Sequence, residues 1–439
     1  MMTANRTTAT RISRRGFLRL GMLGGLGLPY SDVLRFQARA AEGDEVETTA
    51  TTTTGTAQNV IMIWLSGGPS TIDMWDLKPE APDGIKGPFQ PIDSSADGIQ
   101  ISDKLPQMAE VMERCTVIRS LAHSIPAHGP GTVYMNTGNK PSPALQYPSL
   151  GALSSRLLPA PAEVPPYVNF GNDRNGGANA GYLGPAFDPF QVQNGNVRGV
   201  TLPEDVTLDQ LSDRVRLLET FDYRLSVLDE VSDVVAGIDQ FQQKALDILR
   251  SNKTRNAFNL EEESAETRQR YGKDGLGQSA LSARRLVEAG VRFVTLGTGG
   301  WDTHGNNFNS LQNRLLPPID RTVSALIADL DDRGLLDSTI VYVAGEFGRT
   351  PRINGNSGRD HWARSMAVVL AGGGFPGGMA YGTTNAEGME PDENPCSPED
   401  VSSTLLAALG VDSTRTLQTR TGRPMQLFRE GTAIDALLG

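Results

Sequence analysis

Four histidines occur in 439 residues; three lie beside glycine or a carboxylate residue, and His123 lies five positions before His128. His123 and His128 stand in HSIPAHGPG, His304 in GGWDTHGN and His361 in GRDHW. None falls in an amphipathic helical pattern, where a packing histidine would be expected. An Asp-x-His pair (Asp302, His304) and an Asp-His pair (Asp360, His361) each offer a carboxylate oxygen and an imidazole to a divalent cation. The plainer reading is that each Asp orients its histidine or caps a helix. Glu346 follows a wholly apolar run, so burying it requires a cation or a salt bridge to Arg349 or Arg352. Arg349, Arg352, Arg359 and Arg364 fall within sixteen residues. Guanidinium groups bind phosphate or sulfate oxygens bidentately, and they equally serve plain charge compensation. His128-Gly129-Pro130-Gly131 opens a helical segment whose first amides suit an anion. Ser70 and Thr71 sit on a Gly-Pro turn, which turn chemistry alone explains.

These loops need elements to bring them together. Asn59–Leu65 is a continuous apolar run ended by Ser-Gly-Gly-Pro, the form of a strand buried on both faces. Similar runs recur at Thr116–Leu121, Val291–Gly297, Thr339–Gly345 and Met366–Ala371. Helical patterns lie between them at Leu105–Arg114, Ser149–Leu158, Leu276–Ala289, Ser310–Arg333 and Pro398–Leu409. This alternation predicts an α/β protein with a mostly parallel sheet sandwiched by helices. Neighbouring parallel strands end on one edge, so the polar tips after Leu65, Leu121, Gly297 and Gly345 are expected to meet there. Phe170–Val200 and Gly372–Asn394 read as irregular stretches. Thr207–Arg270 is charged with helical spacing and reads as a helical insert.

The chain starts with a Ser-Arg-Arg-Gly-Phe-Leu-Arg motif at Ser13–Arg19, then a Gly/Leu-rich stretch too short to span a bilayer, then Ala38-Arg39-Ala40. That order reads as a twin-arginine signal peptide over 1–40, implying the twin-arginine export machinery as a partner and a periplasmic or extracellular destination. A flexible Thr-rich spacer covers 41–58, and one domain covers 59–439. Residues 1–40 hold seven Arg and one Asp, a balance of +6, so the remainder carries −11 − 6 = −17. Such acidity argues against nucleic acid and anionic membranes as partners. No later run is apolar enough for a membrane span. Cys115 and Cys396 permit at most one disulfide. No GxxxxGK[ST], no strand-borne GxGxxG and no GxSxG is present, which weakens P-loop, Rossmann and serine-hydrolase readings.

Taken together, WLSGGPSTIDMWDLKP, HGPGTVYMNTG, GWDTHGN, GEFGRTP, GRDHW and the closing GRP resemble a family of exported bacterial proteins of unknown function. It is number fifteen-oh-one of the domain-of-unknown-function series, placed in the alkaline phosphatase and sulfatase superfamily. The resemblance runs from about Asn59 through the rest of the chain. It implies a three-layer α/β/α sandwich and a metal-dependent hydrolase ancestry. It also marks departures. The Asp that ends the first strand in those hydrolases is replaced by Leu65-Ser66-Gly67, leaving that ligand missing or supplied by Asp73. Their nucleophile lies nine residues before a Thr-Gly, which here lands on His128. Their Asp-His pair after a later strand becomes Glu346-Phe347.

The resulting expectation is an exported, metal-dependent hydrolase of sulfate or phosphate esters, acting on an anionic small molecule or glycan ester. Asp302, His304, Glu346, Asp360 and His361 would hold a divalent cation (Zn, Mn, Mg or Ca). His128 would take the attacking or acid/base position, with Arg349 and Arg359 over the anion. The rival reading is a non-catalytic protein of the same fold that binds an anionic glycan or a partner protein.

Overall fold

The computed structural model describes residues 55–171, 177–193, 196–197, 251–419 and 422–438. The signal peptide, most of the spacer and 207–250 of the expected insert lie outside them. The part of that insert within them, 251–270, carries a helix at Asn252–Phe258 and most of another at Ala265–Tyr271.

The central strand β1, Asn59–Ser66, is buried along its length except at Ser66. In chain order follow β2 (Cys115–Leu121), β3 (Tyr167–Phe170), β4 (Phe190–Gln193), β5 (Asn196–Val197), β6 (Phe293–Gly299), β7 (Thr339–Ala344), β8 (Met366–Ala371) and β9 (Met379–Tyr381). They form one nine-stranded sheet in the order β9-β2-β8-β7-β1-β6-β3-β4-β5. β6 and β7 flank β1, both parallel to it. The sheet is mixed because β8 runs antiparallel to β7 and to β2, and β5 runs antiparallel to β4.

Among the described residues, five longer helices cover the sheet: α1 (His128–Thr137), α2 (Leu150–Leu157), α3 (Gly275–Glu288), α4 (Leu316–Asp332) and α5 (Pro398–Ala408). Side chains alternate across a strand. Val60, Met62 and Trp64 share a core with Met135 of α1, Leu150 and Leu153 of α2, and Leu405 of α5. Ile61, Ile63 and Leu65 are buried on the other face, where α3 packs on β1 and β6 and against α4. The expected sandwich of helices on both faces is what the chain forms. Ser149 caps α2, and Ser397 with Asp400 forms a capping box at α5, so hydroxyl and carboxylate oxygens satisfy first-turn amides.

Four expectations change. The stretch 170–200 is not wholly irregular, since β4 and β5 lie in it and extend the sheet beyond β3. Nor is 372–394, which carries β9 at the opposite edge of the sheet and a small ribbon pairing Thr383–Thr384 with Pro391–Glu393. The run Leu105–Arg114 breaks into a single turn, Pro106–Ala109, and a 3-10 turn, Met112–Arg114. The long helix from Ser310 carries a π-helical turn at Leu311–Leu315 before α4. Cys115 and Cys396 are both free. Cys396 lies against Leu121 at one end of β2 and Cys115 is at the other, six residues or roughly 20 Å away.

Candidate metal centre

One rim of the sheet gathers every histidine. β1, β6, β7 and β2 end there, and antiparallel β8 begins there, so His361 reaches the same rim from the upstream side of its strand. His361 and Trp362 pair with Arg349 and Gly348 in a two-stranded ribbon that folds over the rim. Gly358 lies so close to the His304 backbone that a Cβ would sit 2.0 Å from the His304 carbonyl oxygen. Gly67 has φ +123°, and a Cβ there would meet the Asp302 amide nitrogen at 2.5 Å. Glycine at these two positions lets the loops close on one another.

Three donor atoms form a tight triangle. His304 Nε2 and His361 Nε2 are 3.0 Å apart, and each lies 3.1 Å from Asp302 Oδ1. Ligands around a tetrahedral cation at about 2.0–2.1 Å are themselves about 3.3 Å apart, so this spacing is that of a coordination shell. The other ring nitrogens are occupied. His304 Nδ1 donates to Asp360 Oδ1 (2.6 Å) and His361 Nδ1 to the Pro126 carbonyl (3.0 Å). In the neutral rings the proton therefore sits on Nδ1, and both Nε2 lone pairs face Asp302 and each other. A fourth group, His128, directs Nε2 at the other Asp302 oxygen, Oδ2, at 3.3 Å. Its Nδ1 lies 2.7 Å from Glu346 Oε1, which also accepts the Gly67 amide at 2.8 Å. Phe347, fully buried, lies beneath both His128 and His361, with ring centroids 5.2 and 4.5 Å away.

The electrostatics favour an ionised Asp302. Burial opposes its charge, but above all the hydrogen bond from the Arg349 guanidinium holds its pKa down to about 2. The hydrogen bond from His304 lowers Asp360 as well. His123 behaves differently: burial pushes it down to about 4, only partly offset by its Nε2–H donating to the Glu346 carbonyl. It supports the strand end and stays out of the cluster.

Several sequence expectations are corrected here. Asp302, His304 and His361 come together at the rim. Glu346 and Asp360 do not present themselves as ligands; they stand behind His128 and His304 and grip their Nδ1 atoms. Arg349 and Arg359 do not lie over an anion, because both guanidiniums are fully buried. Arg349 donates to the carbonyls of Gly67, Gly68, Trp301 and Arg359 and to Asp302. Arg359 forks onto both oxygens of Asp73 at 2.8 Å and also donates to carbonyls at Thr350, Pro351 and Ile85. Asp73, further held by Ser70 and Asn307, is thereby spent and supplies no ligand. Ser70 is fully buried. The sequence reading missed the Pro126 carbonyl and the Gly67 amide, which no residue type signals.

The fold and site define an α/β/α sandwich carrying a histidine–carboxylate cluster at the strand ends. The chain belongs to the family described as "Protein of unknown function (DUF1501)", whose model matches residues 57–438. A comparison with curated proteins returns no match. Among solved structures, Ps i-CgsB in complex with k-i-k-neocarrahexaose matches at 11% identity and TM-score 0.39, covering 81% of this chain and 72% of that chain. A protein in the alkaline phosphatase superfamily from Vibrio parahaemolyticus matches at 12% and 0.39, covering 88% and 76%. Alkaline phosphatase from the Antarctic bacterium TAB5 matches at 12% and 0.35, covering 81% and 99%. These likenesses are loose.

Proposed function

We propose that this protein is a hydrolase of sulfate or phosphate esters that works with a divalent cation held by Asp302, His304 and His361. The observation that carries the reading is the donor triangle, in which two Nε2 lone pairs and an ionised carboxylate face one point. A single proton between the two imidazoles could serve only one of these contacts, whereas a cation serves all three. Two imidazoles with one carboxylate suit zinc or manganese better than magnesium or calcium, which prefer oxygen donors. The cation, when bound, would polarise an ester oxygen and offset charge that develops on it. Asp302 and His304 are each nearly half exposed, so substrate has access. His128, fixed by Glu346, stands beside the triangle in the attacking or acid/base position. Export by the twin-arginine route, to the periplasm or beyond, belongs to the same proposal and rests on the leader motif.

The test is metal analysis of the purified protein beside a His304→Ala variant, with turnover of aryl sulfates and aryl phosphates. Bound metal lost in the variant, and turnover abolished by chelator, would support the reading. Absence of metal from the wild-type protein after exposure to zinc and manganese would refute it. Metal binding without any turnover would favour the rival, a binding protein for anionic glycans or a partner.

A further inference from the structure

Resting on the cation half of that reading, we infer that Asn354 is a positioning residue for the donor triangle. It aligns the Asp360–His304 pair and so sets how tightly the triangle holds its ion. Asn354 lies in the loop that joins the two strands of the ribbon over the rim, between Arg349 and His361. Every hydrogen-bonding position of its side chain is used. Its two amide hydrogens face two acceptors, the His304 carbonyl oxygen at 2.9 Å and Asp360 Oδ1 at 3.2 Å. Its Oδ1 accepts the backbone amides of Asn356 and Gly358, each at 3.0 Å. Turning the amide over would set NH2 against two N–H donors and the oxygen against two acceptors, so the partners fix its orientation.

The oxygen it reaches is the one that matters. Asp360 Oδ1 also receives His304 Nδ1–H, at 2.6 Å. The two side chains of that pair are about half exposed, 47% for His304 and 53% for Asp360. An exposed pair gains little by itself, because water screens it and both side chains lose rotamer freedom on meeting. Its alignment has to come from a third group, and Asn354 is the one other side chain bonded to this carboxylate among the described residues. Asn354 thus holds His304 at two points, its own carbonyl and the carboxylate behind its ring. The direction of Nε2 follows from both.

The surrounding loops are built on that grip. The Asn306 and Asn307 amides donate to the Asn356 and Ser357 carbonyls at 2.9 Å, joining the segment after His304 to the segment after Asn354. Asn306 and Ser357 both have φ +52°, in the left-handed region, where serine is uncommon. The Asn354 oxygen ties down the amides on either side of Ser357 and keeps that strained residue in place. This turn needs only the acceptor half of the asparagine, a part that a serine hydroxyl can also play, though more weakly. The donor half adds nothing to the turn; it reaches across to His304 and Asp360. Asn354→Ser therefore keeps an acceptor for the turn and removes the reach.

The experiment uses the full chain, stripped of metal and titrated calorimetrically with zinc and with manganese, beside urea unfolding of the metal-free proteins. Asn354→Ser should bind zinc about tenfold more weakly than wild type, the lower end of what loss of an outer partner costs, with little change in the urea midpoint. A double-mutant cycle ties the effect to Asp360. Asp360→Ala alone should lose about 10–100-fold, and adding Asn354→Ser to it should cost no more than about a further threefold, because the carboxylate that Asn354 aligns is gone. A residue that only shapes the turn would move the urea midpoint and leave the affinity of the folded protein alone. Zinc affinity of Asn354→Ser within about twofold of wild type, or losses that multiply in the double variant, would overturn the inference and leave the cation reading standing. If Asn354→Ser does not fold without metal, Asn354→Asp keeps an acceptor for both amides, loses only the donors, and must show the same tenfold loss. A wild-type protein that binds neither zinc nor manganese would overturn the cation reading and this inference together.

Discussion

Glu346 and Asp360 each grip a histidine Nδ1, yet the geometry gives them different jobs, and two isosteric substitutions separate them. Asp360 orients His304, a member of the donor triangle, and lies at the surface. Asp360→Asn weakens that grip, and loss of such an outer partner typically costs 10–100-fold in metal affinity, about 1.4–2.7 kcal/mol. Because Asp360 is half exposed, folding stability should barely change. Glu346→Gln reverses the pattern. The amide oxygen still accepts the Gly67 and His128 donors, but the new NH2 lands where Oε2 now has no partner. Unsatisfied buried donors cost about 1–3 kcal/mol, and exchanging a charged for a neutral hydrogen bond costs about 1 more. We expect about 2–4 kcal/mol of lost stability with cation affinity changed by less than about tenfold. Isothermal titration of the metal-stripped proteins with zinc, beside urea unfolding, reads both quantities. If Glu346→Gln loses as much zinc affinity as Asp360→Asn, Glu346 is a ligand and the reasoning fails.

Three further outcomes follow from the same structure. Asp73→Asn leaves the buried Arg359 guanidinium without its carboxylate and should destabilise by about 3–5 kcal/mol in urea unfolding; a change under 1 kcal/mol would contradict the structural role given to that pair. His123 has a folded pKa near 4 against about 6.5 unfolded, so folding favours its neutral form. Its contribution is therefore complete above about pH 6.5 and declines as pH falls through 4, by about 3 kcal/mol in total. The stability difference between wild type and His123→Gln should shrink over that window, and a pH-independent difference would contradict it. Finally, Cys115 and Cys396 should both titrate with a thiol reagent in denaturant without reductant, and with neither exposed in the native state; finding no free thiol would contradict the separation across β2.

Much of the fold was legible because doubly buried strands leave an uninterrupted apolar run, as at Asn59–Leu65 and Thr339–Gly345. The tips of those runs also pointed to the histidine–carboxylate cluster, since Asp302, His304 and His361 lie in short loops at strand ends. What was hidden depends on direction and depth. Nothing in Met366–Ala371 encodes that β8 runs antiparallel, and β3 to β5 are too short to show a period. Arg349 and Arg359 looked like anion receptors because residue type records charge and not burial. Their true partners are backbone carbonyls and Asp73, contacts that arise only once distant loops are folded together. Glu346 was rightly singled out as a carboxylate that needs a partner, but that partner is His128 and the Gly67 amide.

The most direct test is a crystal structure of the zinc- or manganese-loaded protein, with the ion located by its anomalous scattering. The account predicts one ion within about 2.0–2.2 Å of Asp302, His304 and His361, with Glu346 and Asp360 still bound to the Nδ1 atoms behind. An ion held by Glu346 or Asp73, or no ion at the strand-end rim, would contradict it.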